Sequence, residues 1–309
     1  RVRPGFEINH TNRKAVESIV EKLDCVSLAI ELAAARIRVM SPAQIAERLG
    51  QRFQFLQSPQ QEVSERQATL SGVIDWSWKL LSSWEKMALA QCSIFAGSFT
   101  LEAAEEIIDV SAWPEAPWSL DIFQELQDKS LIFMERSSTG DNRFFMFESV
   151  RLFALNKLAE QGAIVDDSGI SQTDDRAFND VARRFVTYFS RYGQQEWLDG
   201  LNHNESEMRV QRLADETANL LTALNRAIVS GHLEMATKTF MATARVLNMK
   251  GDPEQIIELA QLILRQPSLS PTSRIRVQLT RSTALRLSGQ INRAGIAATW
   301  LLAVAEESG

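Results

Sequence analysis

Apolar residues recur along this chain mostly at three- and four-residue spacing, the pattern of helices that bury one face. Val16, Ile19, Val20 and Leu23 share one stripe behind Thr11 or Asn12 as a cap, and Leu28, Leu32, Ala35 and Val39 share the next. Ser41 and Pro42 open a third helix that buries Ile45 and Leu49, with proline in the first turn. Residues 57–66 are polar and aperiodic, which predicts a boundary. Beyond them two further stripes appear, one of Leu70, Val73, Ile74, Trp78 and Leu81 and one of Trp84, Met87, Ala88, Cys92 and Phe95. Ala96, Gly97 and Ser98 break the pattern. Short helices follow around Leu101, Ala104 and Ile108, and, after a Trp/Pro loop at 113–118, around Ile122, Phe123 and Leu126.

At this point the period changes. Residues 131–134 and 144–147 are short apolar runs separated by Ser137, Ser138, Thr139, Gly140, Asp141 and Asn142, the turn chemistry of a β-hairpin. A helix carrying Val150, Phe153, Ala154 and Leu158 follows. Residues 162–175 carry four acids and no period, and read as a linker. Thereafter the pattern is helical again. Phe178, Val181, Ala182, Phe185, Phe189 and Tyr192 form one stripe, and Val210, Leu213, Thr217, Leu220, Leu221, Leu224 and Ile228 form a second, read as one long helix. Gly251 and Gly289 lie 38 residues apart, near the length of a helix-turn-helix repeat, and Leu285, Gly289, Ala294 and Ala298 fit the small-residue positions of tetratricopeptide repeats.

The expected fold is therefore mainly α. It comprises a helical domain at 1–64, a winged-helix-like domain with a small β-hairpin at 65–161, a linker at 162–175, and TPR-like helical repeats at 176–309. The opening Arg1, Val2, Arg3, Pro4, Gly5 and the close at Gly309 read as the edges of a fragment of a longer protein.

Composition narrows the function classes. The 309 residues are 45% hydrophobic and 23% charged, enough to build packed cores and too apolar for disorder. Cys25 and Cys92 are the only cysteines, which excludes a disulfide scaffold and suits the cytoplasm. No run reaches the roughly 18 apolar residues of a membrane span. The net charge of −6 is concentrated in residues 66–160, where 8 basic residues face 14 acidic ones. A DNA-reading helix needs cations against phosphate, so this charge argues against direct nucleic-acid binding by the wing segment.

Catalytic constellations are absent from the sequence. There is no phosphate-cradling G-x-x-x-x-G-K-[ST], no zinc spacing and no nucleophile elbow. His10, His203 and His232 stand alone, and the pairs Asp166–Asp167 and Asp174–Asp175 lie in polar sequence where solvation or a helix N-terminus explains them. The chain is expected to be no enzyme and to hold no metal. Trp76, Trp78 and Trp84 sit on amphipathic helices and read as core. Trp113 and Trp118 lie in a loop, where exposure is expected. Trp197 and Trp300 fall in the repeat region and are candidates to line a partner surface.

Several ordered blocks carry a resemblance. They are Ile19–Arg36 (IVEKLDCVSLAIELAAAR), Gln67–Leu70 with Ile74–Ser77, Ser93–Ala104 (SIFAGSFTLEAA), Asp128–Leu131, and Phe147–Ala154 (FESVRLFA). Together these resemble the C-terminal part of the ATPase module of bacterial STAND signal-transduction NTPases, the NB-ARC-like class that includes regulators of the maltose-regulon-activator type. The resemblance implies a transcription-regulating switch in which ADP or ATP with Mg is clamped between domains. It implies a P-loop domain upstream of Arg1, so this chain alone is expected to hold no cofactor. An inducer or protein partner would act on the helical repeats, with self-association on activation and neither a membrane nor a direct nucleic-acid partner.

Four nucleotide-facing positions carry over from the family. Its Gly-Leu-Pro-Leu-Ala segment corresponds to Cys25, Val26, Ser27, Leu28 and Ala29, so glycine and proline are both replaced; Ser27 serves equally well as a helix cap. Its Met-His-Asp corresponds to Met146, Phe147 and Glu148, and Phe147 has no donor for a phosphate. Ser27, Leu28, Phe147 and Glu148 are thus the candidate nucleotide positions. The alternative reading is a non-enzymatic helical-repeat scaffold whose nucleotide site has degenerated.

Overall fold

The structure, a computed structural model, describes residues 6–9, 11–23, 27–53, 62–137, 139–160, 163–165, 171–173, 176–199 and 206–308. The described chain is mainly helical, with a small antiparallel hairpin, as the periodicity predicts. None of its described helices is long and apolar enough to cross a membrane. Its contacts divide it into two compact units.

The first unit comprises Arg1–Ser93, Ile108–Glu135 and Phe144–Phe178. In it α1 (Arg13–Lys22), α2 (Ser27–Ala35) and α3 (Pro42–Phe53) bury Ile19, Leu23, Leu32, Ile45 and Leu49. Asn12 stands at the N-cap of α1 without capping it, because its Oδ1 accepts from the backbone N–H of Asn9 at 2.8 Å instead. Helix α2 stops at Ala35 and tightens into a 3-10 turn over Arg36–Arg38, which rotates Val39 off the expected buried stripe and leaves it 75% exposed.

Helix α4 (Glu62–Lys79) buries Val73, Ile74, Trp76 and Trp78, with Trp78 edge-on to Phe153. Helix α5 (Ser83–Cys92) starts in a reciprocal capping box. Ser82 Oγ accepts from the Glu85 N–H, and the Glu85 carboxylate accepts from the Ser82 N–H. Helix α6 (Leu101–Ile107) belongs to the second unit. Helix α7 (Ser119–Asp128) buries Ile122, Phe123 and Leu126; ahead of it the Trp113–Trp118 loop leaves Trp118 83% exposed and Trp113 half-buried.

Strands β1 (Phe133–Arg136) and β2 (Asn142–Phe145) form the expected hairpin, whose turn uses Gly140 at φ +85°. Its tip, Arg136–Arg143, is grouped with the second unit. Helix α8 (Glu148–Glu160) packs on α4 and α5. Residues read as an aperiodic linker contain a second small ladder. There β3 (Ala163–Val165) pairs antiparallel with β4 (Ser171–Thr173), Ile164 opposite Gln172. Backbone pairing needs no hydrophobic period, so a three-residue ladder leaves no trace in the pattern.

The second unit comprises Ile94–Ile107, Arg136–Arg143 and Asn179–Gly309. Helix α9 (Arg176–Ser190) presents Phe185 and Phe189 to Phe95 and Phe99, with Phe95 and Phe99 stacked at 4.2 Å between ring centres. A 3-10 turn over Arg191–Gly193 leads to α10 (Gln195–Asp199). The stretch expected as one long helix is instead two, α11 (Ser206–Asp215) and α12 (Thr217–Val229), broken at Glu216. Helices α13 (Leu233–Met249), α14 (Pro253–Leu264), α15 (Pro271–Leu287) and α16 (Ile291–Ser308) complete the unit, each packing on the one before it.

Three turns between these helices are built identically. Gly231, Gly251 and Gly289 each take positive φ (72°, 73° and 78°), and in each case the next residue's N–H reaches back to the carbonyl of the residue five earlier, Ala227, Leu247 and Leu285. The 38-residue spacing of Gly251 and Gly289 thus marks equivalent positions in successive helix pairs. Phe240, Leu247, Ile256, Ile263, Val277 and Leu285 form the continuous core these pairs share.

Candidate functional site

The four family-derived positions all lie in the first unit. Ser27 is the first residue of α2 and exposed; Leu28 beside it is half-buried. Cys25 and Val26 fall outside the described residues, as do His10, His203 and the pairs Asp166–Asp167 and Asp174–Asp175. Phe147 lies at the β2–α8 corner, edge-on to Phe133 at 4.5 Å and to Phe145 at 6.4 Å. Glu148 opens α8, and its two carboxylate oxygens accept from Arg151 Nε and Nη2 at 2.8 and 2.7 Å. That fork holds the Glu148 carboxyl below the usual glutamate range. Helices α2 and α8 both pack on α4, on separate elements from one another.

These side chains offer little to a nucleotide phosphate. Phe147 has no donor and is committed to an aromatic cluster, and Glu148 repels an anion while occupying Arg151. The β2–α8 corner therefore does not fit a phosphate. Ser27 alone among the four carries a side-chain donor.

A more developed polar centre in the first unit surrounds Glu85. It is buried at the start of α5, and its carboxylate pairs with Lys129, which also lies 3.5 Å from Glu125. Burial pushes the Glu85 carboxyl up, but hydrogen bonds from Lys129, Glu125 and the Ser82 backbone outweigh it and hold the group below its ordinary range. The Glu125 carboxyl is raised by its hydrogen bond to Glu85 and by the negative charge beside it. The buried Arg36 guanidinium is attracted by the Glu85 charge, while its Nε and Nη2 find no acceptor among the described residues.

Two arrangements in the second unit were not foreshadowed by local sequence. The first explains the break at Glu216. Its carboxylate, buried between α11 and α12, pairs with Arg143 Nη1 at 2.7 Å and accepts from Asn219 Nδ2 at 2.8 Å. Arg143 donates its remaining nitrogens to Ser98, Nε to Oγ at 2.8 Å and Nη2 to the carbonyl at 2.9 Å. Asn219 Oδ1 in turn accepts from the N–H groups of Ala96 and Gly97. Every polar atom of this buried cluster is therefore used. At the hairpin tip, Asp141 binds Arg212 of α11 through both carboxylate oxygens, at 2.7 and 3.0 Å.

The second arrangement is a cavity of about 450 Å³ beside that cluster. Tyr188, Tyr192 and Trp197 form its wall, Tyr192 edge-on to both Tyr188 (6.0 Å) and Trp197 (4.9 Å). Burial pushes both tyrosine hydroxyls above their usual range. Glu102 of α6 and Arg209 and Arg212 of α11 supply charge. The wall is fixed by a close approach: a Cβ on Gly193 would lie 1.6 Å from the Lys238 carbonyl oxygen, so only glycine lets the 3-10 turn seat against α13. Trp197 was marked by the sequence as a lining candidate; Glu102, Arg209 and Tyr188 were not, since they are spread over more than a hundred residues. Among the described residues no three metal-ligating side chains cluster.

The chain is 34% identical over 237 residues, 76% of its length, to mycobacterial proteins from Mycobacterium tuberculosis and Mycobacterium bovis that carry the provisional name HTH-type transcriptional regulator. It is also 36% identical over 162 residues, 52% of its length, to an uncharacterized protein of Mycobacterium tuberculosis, of which it covers 41%. The chain spans about a quarter of the length of the regulators it matches. No protein-family model matches it.

Proposed function

We infer that this chain is a regulatory part of a bacterial transcriptional regulator. The observation that carries this reading is its 34% identity, over 76% of the chain, to proteins named as such regulators. In this reading the parent is a STAND-type switch gated by ATP and ADP, the first unit contributes the lid and winged-helix portions, and the helical pairs of the second unit act as the sensor. The ordered blocks from Ile19 to Ala154 support the class, and the Gly251–Gly289 repeat supports a tetratricopeptide-like sensor. Nucleotide and Mg are held chiefly by parts of the parent outside this chain, because the β2–α8 corner offers no phosphate donor. The chain itself is not an enzyme, and contact with DNA falls to another segment, consistent with the acidic balance of residues 66–160.

Gating follows from differential affinity: an inducer that binds one arrangement of the sensor better than another shifts the population toward it. The test is a promoter-reporter assay on the full-length regulator with and without residues 176–309, paired with assay of adenine nucleotide retained on purification. Loss of inducible control with nucleotide retained supports the switch. Unchanged induction after the deletion overturns the sensor assignment, and a parent that neither retains nor binds ATP or ADP overturns the gating.

One observation favours a second reading. Phe147, where the family uses histidine, is packed against Phe133 and Phe145 and strengthens the hairpin rather than a ligand site. A scaffold that has lost nucleotide control would keep such a corner. Nucleotide-independent partner binding by the full-length protein would decide for it.

A further inference from the structure

The cavity walled by Tyr188, Tyr192 and Trp197 combines features that single out a ligand class. Its aromatic wall offers flat apolar surface for another ring, in edge-to-face or offset contact. Its volume of about 450 Å³ falls within the roughly 300–1,000 Å³ usual for small-molecule sites. The charges at its margin are not equivalent. Arg191 is held by Glu106 at 2.5 Å and lies over the Tyr188 ring, and Arg212 is held by Asp141. Glu102 and Arg209, which line the same cavity, have no ion-pair partner among the described residues. One carboxylate and one guanidinium are thus left to address a ligand, beside an aromatic wall.

We propose that this cavity binds a small zwitterion built on an aromatic ring, an aromatic amino acid or close analogue, with its carboxylate on Arg209, its ammonium on Glu102 and its ring against Tyr192 and Trp197. The arginine fork suits a carboxylate, and the acid suits an ammonium. A simple anion would leave Glu102 opposed to it, and a simple cation would leave Arg209 opposed to it, so the pair selects against both. This inference rests on reading the second unit as a sensor, for which it names the inducer class.

The experiment is titration calorimetry of the 309-residue chain with L-phenylalanine, 3-phenylpropionate, which lacks the ammonium, and phenethylamine, which lacks the carboxylate. Saturable binding of phenylalanine tighter than about 1 mM is expected, with each truncated analogue at least tenfold weaker. Arg209→Met should remove the preference for phenylalanine over phenethylamine and leave its preference over 3-phenylpropionate. Glu102→Gln should do the converse. Trp197→Leu should weaken all three ligands. Both charge sites are exposed, so folding of the two charge variants is checked by unchanged circular dichroism and melting temperature. Absence of phenylalanine binding overturns the proposal, as does binding that neither charge variant alters. Either failure leaves the sensor reading standing, because that reading is decided by the deletion of residues 176–309 in the reporter assay.

Discussion

Arg143 at the hairpin tip and Glu216 at the α11–α12 break meet at 2.7 Å with only 7% and 3% of their side chains exposed. Buried charge is costly unless matched, and here the match is complete: the remaining Arg143 nitrogens go to Ser98, and the second Glu216 oxygen takes Asn219. Removing one partner strands the other. Arg143→Met is expected to cost about 3–5 kcal/mol, and the double change Arg143→Met with Glu216→Leu to cost less than Arg143→Met alone. Chemical denaturation of the three proteins checks this; a double variant less stable than the single one would contradict it.

Gly193 seats the turn that carries the aromatic wall. Its missing Cβ would sit 1.6 Å from a backbone oxygen, which cannot rotate aside as a side-chain tip can. Gly193→Ala is expected to destabilise the second unit by about 1–3 kcal/mol or more. A lowered melting temperature is the readout, and an unchanged one would show that the turn and α13 can separate at little cost.

Glu85 gives the first unit a signed pH dependence. Its carboxyl is held below the ordinary glutamate range in the folded state, so it contributes stability above that range and loses it as pH falls through the folded value. Lys129→Met reverses the sign, because burial then dominates and raises the carboxyl. The variant should be less stable than the parent by about 3–5 kcal/mol near neutrality, the cost of stranding a buried charge. The gap should narrow as pH falls from neutrality, because the stranded carboxylate, raised by burial, takes up its proton above the ordinary glutamate range. Urea unfolding across that pH series measures it; a constant gap would rule out Glu85 as the source.

Cys92 is wholly buried in α5, and burial pushes its thiol well above the ordinary range. In a Cys25→Ser background the native protein is expected to be inert to a thiol-specific disulfide reagent and to react fully once unfolded. Rapid labelling of the native protein would mean that α5 opens locally on the labelling timescale.

Much of the fold was legible along the chain. Stripes such as Leu28–Leu32 and Phe185–Phe189 repeat at helical spacing, and the six turn residues Ser137–Asn142 interrupt that spacing where the hairpin forms. Gly251 and Gly289 mark helix ends because their positive φ favours glycine. Val39 and Glu216 were misread for different reasons: a 3-10 turn over 36–38 takes Val39 off its stripe, while the break at Glu216 coincides with a distant ion pair. An apolar stripe continues through Glu216 into α12, and nothing local says that a carboxylate there will leave the helix to pair with an arginine 73 residues earlier.

The candidate sites divide along the same line. Ser27, Leu28, Phe147 and Glu148 are identified by position within ordered blocks, and the chemistry of Phe147 was evident from its side chain alone. The cavity was not, because Glu102, Tyr188, Trp197 and Arg209 come from four elements and no spacing relates them.

The sequence by itself determined the helical class, the hairpin, the repeat period and the acidic character of residues 66–160, since periodicity, turn chemistry and charge are properties of neighbours along the chain. Only the tertiary structure decided that Arg143 lies buried against Glu216, that the 191–193 turn closes on α13, and that one acid and one arginine stand beside an aromatic wall with no ion-pair partner among the described residues. Those are meetings of distant segments, fixed by burial, close packing and charge matching among groups that become neighbours only on folding.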